Sequence, residues 1–473
     1  MKKFVALLFG FITLFSFGIT KILPNIFCYA SEDSPLIIRA YGDSISAGDT
    51  LPDNENYTNG THKICEDCFS DVFAKELISK FGGDVKSYAH SGDKTGDLVT
   101  ILNGQDNEEL KKVNIFTLCI GANNVLGPAL NKMSDYMVNG VNETEFREIL
   151  KQGLDNFNSD YKNTILPKLT QNENAKVVVM TIYNPYLHLD LDEAQVDSSL
   201  SALVDMAKAN FTQMLSITME YLEQINQTIR QSAVQDKIFV ADVRSKFDTF
   251  SSAEYKQYIN ADASKIVLSS FADLANIQSI MATACDPHPT VDGQEQIANV
   301  FLDVFNYAEF SWTDSFSNIE DGKKELSISF KSFKDNVLVK AYKIVNGEKS
   351  DVEIKSIENG TIKILAKNLD GQGDLFITVT NQENNQTISS QKIAFNNQIK
   401  SADDNTPSLP DNPSGDDSNN PQNPSDNEPN NPQTPNSELS ETQMITIYLV
   451  IGIGIFVFVL VIVLLMISSF RKR

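Results

Sequence analysis

Basic side chains are in short supply in this chain. Against 62 aspartates and glutamates stand 39 lysines and arginines, a formal net charge of −23 at pH 7. A surface of that sign excludes nucleic acid as a partner, and excludes anionic lipid held through a basic face. No glycine-rich phosphate loop occurs, so no nucleotide cofactor is expected. Cysteine is sparse, five in all and four once Cys28 is set aside with the leader. His62-x-x-Cys65-x-x-Cys68 has ligand-like spacing but supplies three ligands with no second cluster behind them. A local disulfide or free thiols is the reading there, and no metal is expected. Cys119 and Cys285 are read as a nearby pair or as two buried thiols. No long internal repeat is present, and no Leu-Pro-x-Thr-Gly sorting signal.

The two ends are apolar. Lys2-Lys3, the run from Phe4 to Ile19 and Cys28-Tyr29-Ala30 have the order of a secretory signal peptide, residues 1–30, with cleavage after Ala30. Asn25-Ile26-Phe27 lacks the small residues of a lipoprotein processing site. Residues 444–470 carry no charge and are followed by Arg471-Lys472-Arg473. That length suits a single transmembrane helix, with the basic tail 471–473 cytoplasmic. Gly452 and Gly454 are too close in sequence for the spacing that packs membrane helices together. The expected location is the cell membrane, single-pass, with the bulk of the chain extracellular.

Between the ends, chemistry is concentrated in short blocks. Gly42-Asp43-Ser44 follows the apolar Leu36-Ile37-Ile38, where a buried strand should end in a tight turn. Ala89-His90-Ser91-Gly92-Asp93 follows the strand-like Val85–Tyr88. Ile120-Gly121-Ala122-Asn123-Asn124 follows the strand-like Val113–Cys119. Helical patterns at Phe69–Lys80 and Thr95–Leu102 alternate with these strands, the signature of a parallel sheet. A parallel sheet would bring all three loops to one edge. Far downstream comes Asp286-Pro287-His288-Pro289. A serine needs a base to become a nucleophile, and an ester's transition state needs donors for its oxyanion. Ser44, His288, the Gly92 amide and the Asn123 side chain can fill those parts.

In this order and context the blocks resemble the SGNH, or GDSL-type, hydrolase family. The resemblance implies a flavodoxin-like three-layer α/β sandwich around a parallel sheet. It also implies Ser44 as nucleophile, His288 as general base and acid, and an oxyanion hole made by the Ser44 and Gly92 amides with the Asn123 side chain. Asn124 matches a position that supports the loop. The acid of the family commonly stands three residues before the histidine, where this chain has Cys285. Asp286, two residues before, is the first choice, and the Cys285 carbonyl is the alternative. Among the other histidines, His90 reads as structural or as a substrate contact, and His188 as solvent-facing.

Residues 31–309 make one hydrolase domain, with later strands at Lys176–Ile182 and Lys237–Val243 and a closing helix at Gln294–Phe305. Long stretches at Glu143–Gln231 and Lys246–Ala284 would either line the site or extend the helical layer. Residues 310–400 switch to short β-rich runs separated by Asn346-Gly347, Asn359-Gly360 and Asp370-Gly371, which predicts a small β-sandwich of about six strands. Its few aromatic residues favour a spacer over a carbohydrate-binding module. Residues 401–441 are rich in Pro, Asn, Asp and Ser and read as a disordered linker, roughly 35 Å as a coil and roughly 125 Å extended. The implied activity is that of a membrane-anchored serine ester hydrolase without cofactor. By location its substrates would be O-acyl groups on glycans or wall polymers, with lipid esters as the alternative. A surface-binding protein that no longer catalyses is the rival from another class. Oligomeric state is not legible.

Overall fold

The structure is a computed structural model that describes residues 35–52, 62–317, 319, 324–390 and 392–397. The leader, linker, membrane helix and basic tail expected above lie outside these residues. Among the described residues no helix is long and apolar enough to cross a membrane.

Five strands form the central sheet: β1 (Leu36–Gly42), β2 (Gly83–Ser87), β3 (Ile115–Cys119), β4 (Lys176–Met180) and, after the two-residue β5 (Gln195–Val196), β6 (Ile238–Ala241). All pair in parallel, in the order β2-β1-β3-β4-β6. The central strand β3 is buried throughout, from Ile115 to Cys119, as expected where helices cover both faces. Right-handed crossovers place α2 (Phe69–Phe81) on one face and α3 (Thr95–Gly104) on the other. The closing helix α8 (Val291–Val304) packs beside α2, where Phe69 and Phe301 meet at 4.7 Å between ring centres. The strand order reverses between β1 and β3, and α/β proteins bind ligands above such a point.

Three helices project well past this edge. α4 (Ala122–Asn139) rises from it and α5 (Glu143–Asp160) returns alongside, with Lys132 paired to Glu145 at 2.9 Å and Tyr136 edge-on to Phe146. Gly153 lets α5 back directly onto the Asn124 carbonyl, 1.9 Å from where a Cβ would stand. α6 (Ser201–Gln231) is level with the sheet edge at Asn226, whose side chain holds both the N–H and the C=O of Ile182. The part of α6 before Asn226 therefore lies beyond the strands. Its roughly 46 Å length dwarfs a five-residue strand of roughly 17 Å. The Lys246–Ala284 stretch folds into short helices and β7 (Val267–Leu268), which pairs with β5, and ends in α7 (Ile277–Ala284).

After α8 the chain builds two antiparallel sheets. With β10 at Val337–Val345 and β13 at Thr361–Leu365, one has the order β12-β13-β9-β8 and the other β11-β10-β14-β15, with β16 also on β14. Leu326 and Ile328 of β9 (Glu325–Ser332) share an apolar core with Ile377 of β14 (Gly371–Asn381) and Phe395 of β16 (Ile393–Asn397). Two runs read above as single strands are broken. Val352–Ile357 divides into β11 (Glu348–Val352) and β12 (Ile354–Glu358), because Val352 pairs with Ala341 in one sheet while Ile354 pairs with Ile364 in the other. Ile388–Phe395 divides into β15 (Thr387–Ser389) and β16, with Ser390 turned inward to bond Ile377 N–H at 2.8 Å. An additional strand, β8 (Ala308–Ser311), straddles the 309/310 boundary and leads straight out of the hydrolase fold.

These sheets dock against the starting ends of the parallel strands. Lys80 reaches the Phe333 carbonyl and Asp335, the Asn306 side chain donates to the carbonyls of Val379 and Gln386, and the Ser389 N–H donates to Asp236. The opposite edge is left free.

At that free edge Gly42 has no room for a side chain. It adopts φ +151°, and a Cβ would stand 2.2 Å from the Cys119 carbonyl oxygen. Gly42→Ala combines backbone strain with overpacking and should cost roughly 2–5 kcal/mol. Urea denaturation of the variant should show this as a lower midpoint with an unchanged slope.

Candidate active site

The nucleophile turn is built from the ends of three strands. The Asp43 N–H donates to the Cys119 carbonyl at 3.0 Å, and the His90 N–H donates to the Gly42 carbonyl at 3.1 Å. Both neighbouring strands therefore fix the backbone that carries Ser44. Asp43 caps a single helical turn, α1 (Ser44–Ala47), by accepting from the Ile45 N–H, and Gly48 ends it in the left-handed conformation. Ser44 is almost buried, at 9% exposure. Such a turn costs conformational freedom, so the surrounding contacts have to hold it.

The second and third loops are tied together next to it. Gly92 turns at φ +82°, and the Ser91 hydroxyl donates to Asp49. The Asn123 amide donates to the Asp93 carbonyl at 3.1 Å. Asn124 is buried and uses both ends of its side chain. Its amide donates to the Thr95 hydroxyl at 3.0 Å and the Gly153 carbonyl at 3.3 Å, and its oxygen accepts from the Thr95 N–H at 3.2 Å. The two adjacent asparagines thus differ in kind: Asn124 pins three elements together, and Asn123 stands half-exposed at the edge.

The fourth block arrives from more than 240 residues downstream and is held as firmly. His288 Nδ1 lies 2.6 Å from Asp286 Oδ1, which also accepts the His288 N–H at 3.1 Å. The Cys285 carbonyl, the alternative partner for the imidazole, instead accepts from the Tyr186 hydroxyl at 2.9 Å. Tyr183 donates in the same way to the Pro287 carbonyl at 2.7 Å. The fully buried Gln294 on α8 links histidine and serine: its amide donates to the Ile45 carbonyl at 3.1 Å, and its oxygen accepts from the Phe69 N–H at 3.0 Å.

Acidic groups converge on His288. Burial pushes its imidazolium towards losing the proton, but the Asp286 hydrogen bond and charge, with Asp49 and Asp43 behind, outweigh this and raise its pKa. Burial likewise pushes Asp286 up, and the hydrogen bonds and charge from His288 bring it below the ordinary carboxylate value. Asp43 goes the other way. Burial pushes it up to about 7, although the Ile45 N–H, His288 and Cys119 pull it down. Its Oδ2 is buried without a hydrogen-bond partner.

The structure therefore brings Ser44, Gly92, Asn123, Asp286 and His288 to one edge. Sequence reasoning missed Asp43 and Gln294 as parts of this assembly. The only available signal for Asp43 was its place inside the Gly42-Asp43-Ser44 block. Tyr183 and Tyr186, just after β4, carried no such signal. His188 faces inward, contrary to expectation: its Nε2 bonds the Phe250 carbonyl at 3.1 Å and its ring stands edge-on to Tyr255, because the β4 loop folds under the Ser252–Tyr258 helix. His90 is exposed, beside Asp93 at 3.3 Å. His62 stacks on Tyr88 at 4.1 Å between ring centres, away from the buried Cys65 and Cys68. Among the described residues Cys65, Cys68, Cys119 and Cys285 are buried and form no disulfide.

Residues 38–301 match the GDSL-like Lipase/Acylhydrolase family. The match takes in more than half of the chain and every residue of the site, so the chain belongs to this family. It is a carboxylic ester hydrolase. Among solved structures it is similar to a lipase from a goat rumen metagenome (15% identity over 56% of this chain and 96% of that one, TM-score 0.36). It is similar also to an extracellular lipase of Streptomyces rimosus (14% identity, 57% and 100%, TM-score 0.34). A third is an acetylxylan esterase of Geobacillus stearothermophilus (15% identity, 57% and 93%, TM-score 0.27). No curated relative matches the chain.

The shifts at His288 and Asp286 define a pH window. A raised histidine contributes stability in full below its unfolded pKa of about 6.5, and that contribution is lost as pH rises through the folded value. A depressed aspartate contributes above its unfolded value of about 3.9, and that contribution is lost as pH falls through the folded value. The pair should therefore stabilise most between about pH 4 and 6.5. Asp286→Asn should lower folding stability most inside that window and progressively less above it, as measured by urea denaturation across pH. A difference that is constant from pH 4 to 9 would contradict the pairing.

Proposed function

We propose that this chain hydrolyses esters through an acyl-serine intermediate, outside the cell and tethered to the membrane by its C-terminal segment. The observation that carries the chemistry is the Asp286–His288 pair at 2.6 Å, tied through Gln294 to the turn bearing Ser44. In this reading His288 Nε2 takes the Ser44 proton as the oxygen attacks the acyl carbon. The oxyanion that forms is met by the amides of Ser44 and Gly92 and by the Asn123 side chain. On collapse the alcohol leaves with the proton from His288. Water then gives its proton to His288, attacks the acyl-serine and releases the acid, restoring Ser44. Asp286 holds the imidazole in the tautomer with its proton on Nδ1 and stabilises the imidazolium.

Net charge supports an extracellular polymer or neutral ester over a polyanion as substrate. The two apolar terminal segments support secretion and anchoring. Location favours O-acyl groups on glycans or wall polymers. A second reading, lipid esters, is supported by an apolar cavity in the projecting helices.

Ser44→Ala should abolish ester hydrolysis while leaving thermal unfolding near that of the wild type, and His288→Ala should abolish it while also lowering stability, because it strips the partly buried Asp286 of its partner. A fluorophosphonate probe should label the wild type and fail to label Ser44→Ala. Wild-type protein that neither reacts with the probe nor cleaves a simple ester would point to a binding protein instead.

The two asparagines should separate cleanly. Asn123→Ala removes a donor at the edge and should lower kcat by about 10²–10³ with little change in stability. Asn124→Ala leaves buried partners unpaired and should cost about 1–3 kcal/mol of stability with a smaller loss in kcat. The reverse pattern in folded protein would reassign the donor.

A further inference from the structure

The long insertions enclose an apolar cavity of about 230 Å³ beyond the sheet edge. Its walls include Met133 and Met137 of α4, Val204 of α6, Leu191 from the loop after β4, Ile266, and Met281 of α7. Lys208 and Gln278 are the polar side chains on its lining. An apolar space of this kind holds water poorly and takes apolar ligands.

Its position ties it to the reaction. One wall is α4, whose first turn carries Asn123; from Asn123 to Met133 the helix rises roughly 15 Å. The opposite wall is α7, which ends at Ala284 and leads directly into Asp286 and His288. The Cys285 N–H bonds the Met281 carbonyl at 2.8 Å, so the cavity wall and the catalytic loop are one turn apart. The cavity is thus walled by the helix that begins at Asn123 and by the helix that leads into the Asp286–His288 loop. The Lys208 ammonium is paired with Asp192 at 2.8 Å, so it is not arranged to receive an anionic head group. Three methionines make the lining adaptable to a flexible chain. Of the parts of an ester, the acyl chain is the one that is apolar and thin enough to suit this space.

We infer that the cavity receives the acyl chain of the substrate, and that the enzyme prefers esters of medium to long aliphatic acids over acetyl esters. This rests on the acyl-serine reading above and narrows it on the acyl side; the alcohol side is left to either a glycan or a lipid.

The test uses the full-length chain with p-nitrophenyl acetate, butyrate, octanoate and laurate, alongside calorimetric titration of laurate into Ser44→Ala protein. Each buried methylene is worth about fourfold in kcat/KM, so the value should climb by about a hundredfold or more from acetate to laurate. Ala207→Trp fills the cavity from α6 and should lower the laurate-to-acetate ratio by about tenfold or more. Ala194→Phe fills it from the opposite wall and should act in the same direction. Ala207→Trp in the Ser44→Ala background should also remove laurate binding. A flat or falling chain-length profile in the wild type overturns the proposal whether or not the filled variants fold. So does a ratio that neither filled variant changes, or laurate binding indifferent to Ala207→Trp. Failure of the serine reading would show separately, as absence of fluorophosphonate labelling and of acetate hydrolysis. Laurate binding to Ser44→Ala protein is measured independently of that chemistry.

Discussion

Gly42 sits so close to the Cys119 carbonyl that β1 can end only in a turn without a side chain. That close approach lets the Asp43 N–H reach Cys119 and the Gly42 carbonyl accept from His90, so β1 is gripped by strands on both sides at the point where it stops. Ser44 is the next residue but one. Its position therefore follows from the backbone of three strands rather than from its own contacts. In the proposed role of nucleophile, a serine held this way needs little reorganisation when substrate arrives.

Buried polar side chains do the remaining alignment. Asn124 joins the loops after β2 and β3 to α5; Gln294 joins the histidine helix to the nucleophile turn; Tyr183 and Tyr186 hold two carbonyls of the Cys285–His288 loop. Each has its polar end hydrogen-bonded inside the fold, where an unpaired group would be costly, so each admits few other arrangements. Asp43 is the exception: it is buried with one oxygen unpaired and its pKa is raised to about 7, a few ångströms along the chain from Ser44. Asp286 is the carboxylate that hydrogen-bonds to the His288 ring.

The two additions to the sheet serve opposite ends. The projecting helices build upwards from the edge that carries the site and enclose the apolar cavity there. The antiparallel sheets attach below, at the starting ends of the strands, through Lys80, Asn306 and Asp236. The C-terminal sheets therefore attach away from the edge that carries Ser44.

Local pattern carried much of this fold. Apolar runs closed by Gly42, by Gly92 after the strand-like Val85–Tyr88, and by Gly121 marked three strand ends, and the spacing of helical segments between them required a parallel sheet with its loops on one edge. Ser44, Gly92 and Asn123 were legible because strand-to-loop junctions are dictated by residues adjacent in sequence, and His288 through its Asp286-Pro287-His288-Pro289 block. The partner of His288 was not, since a carboxylate two residues away and a carbonyl three residues away are equally near along the chain. The choice lies in Tyr186, a hundred residues distant, which occupies the Cys285 carbonyl and leaves Asp286 facing the ring. Strand breaks at Glu353 and Ser390 were hidden for a similar reason, because which sheet a residue joins depends on partners elsewhere in the chain. The cavity was equally invisible, as its walls come from five segments whose apolar faces read singly as ordinary core. Sequence alone determines contacts made by neighbours; contacts between distant segments are decided by packing, which only the folded chain contains.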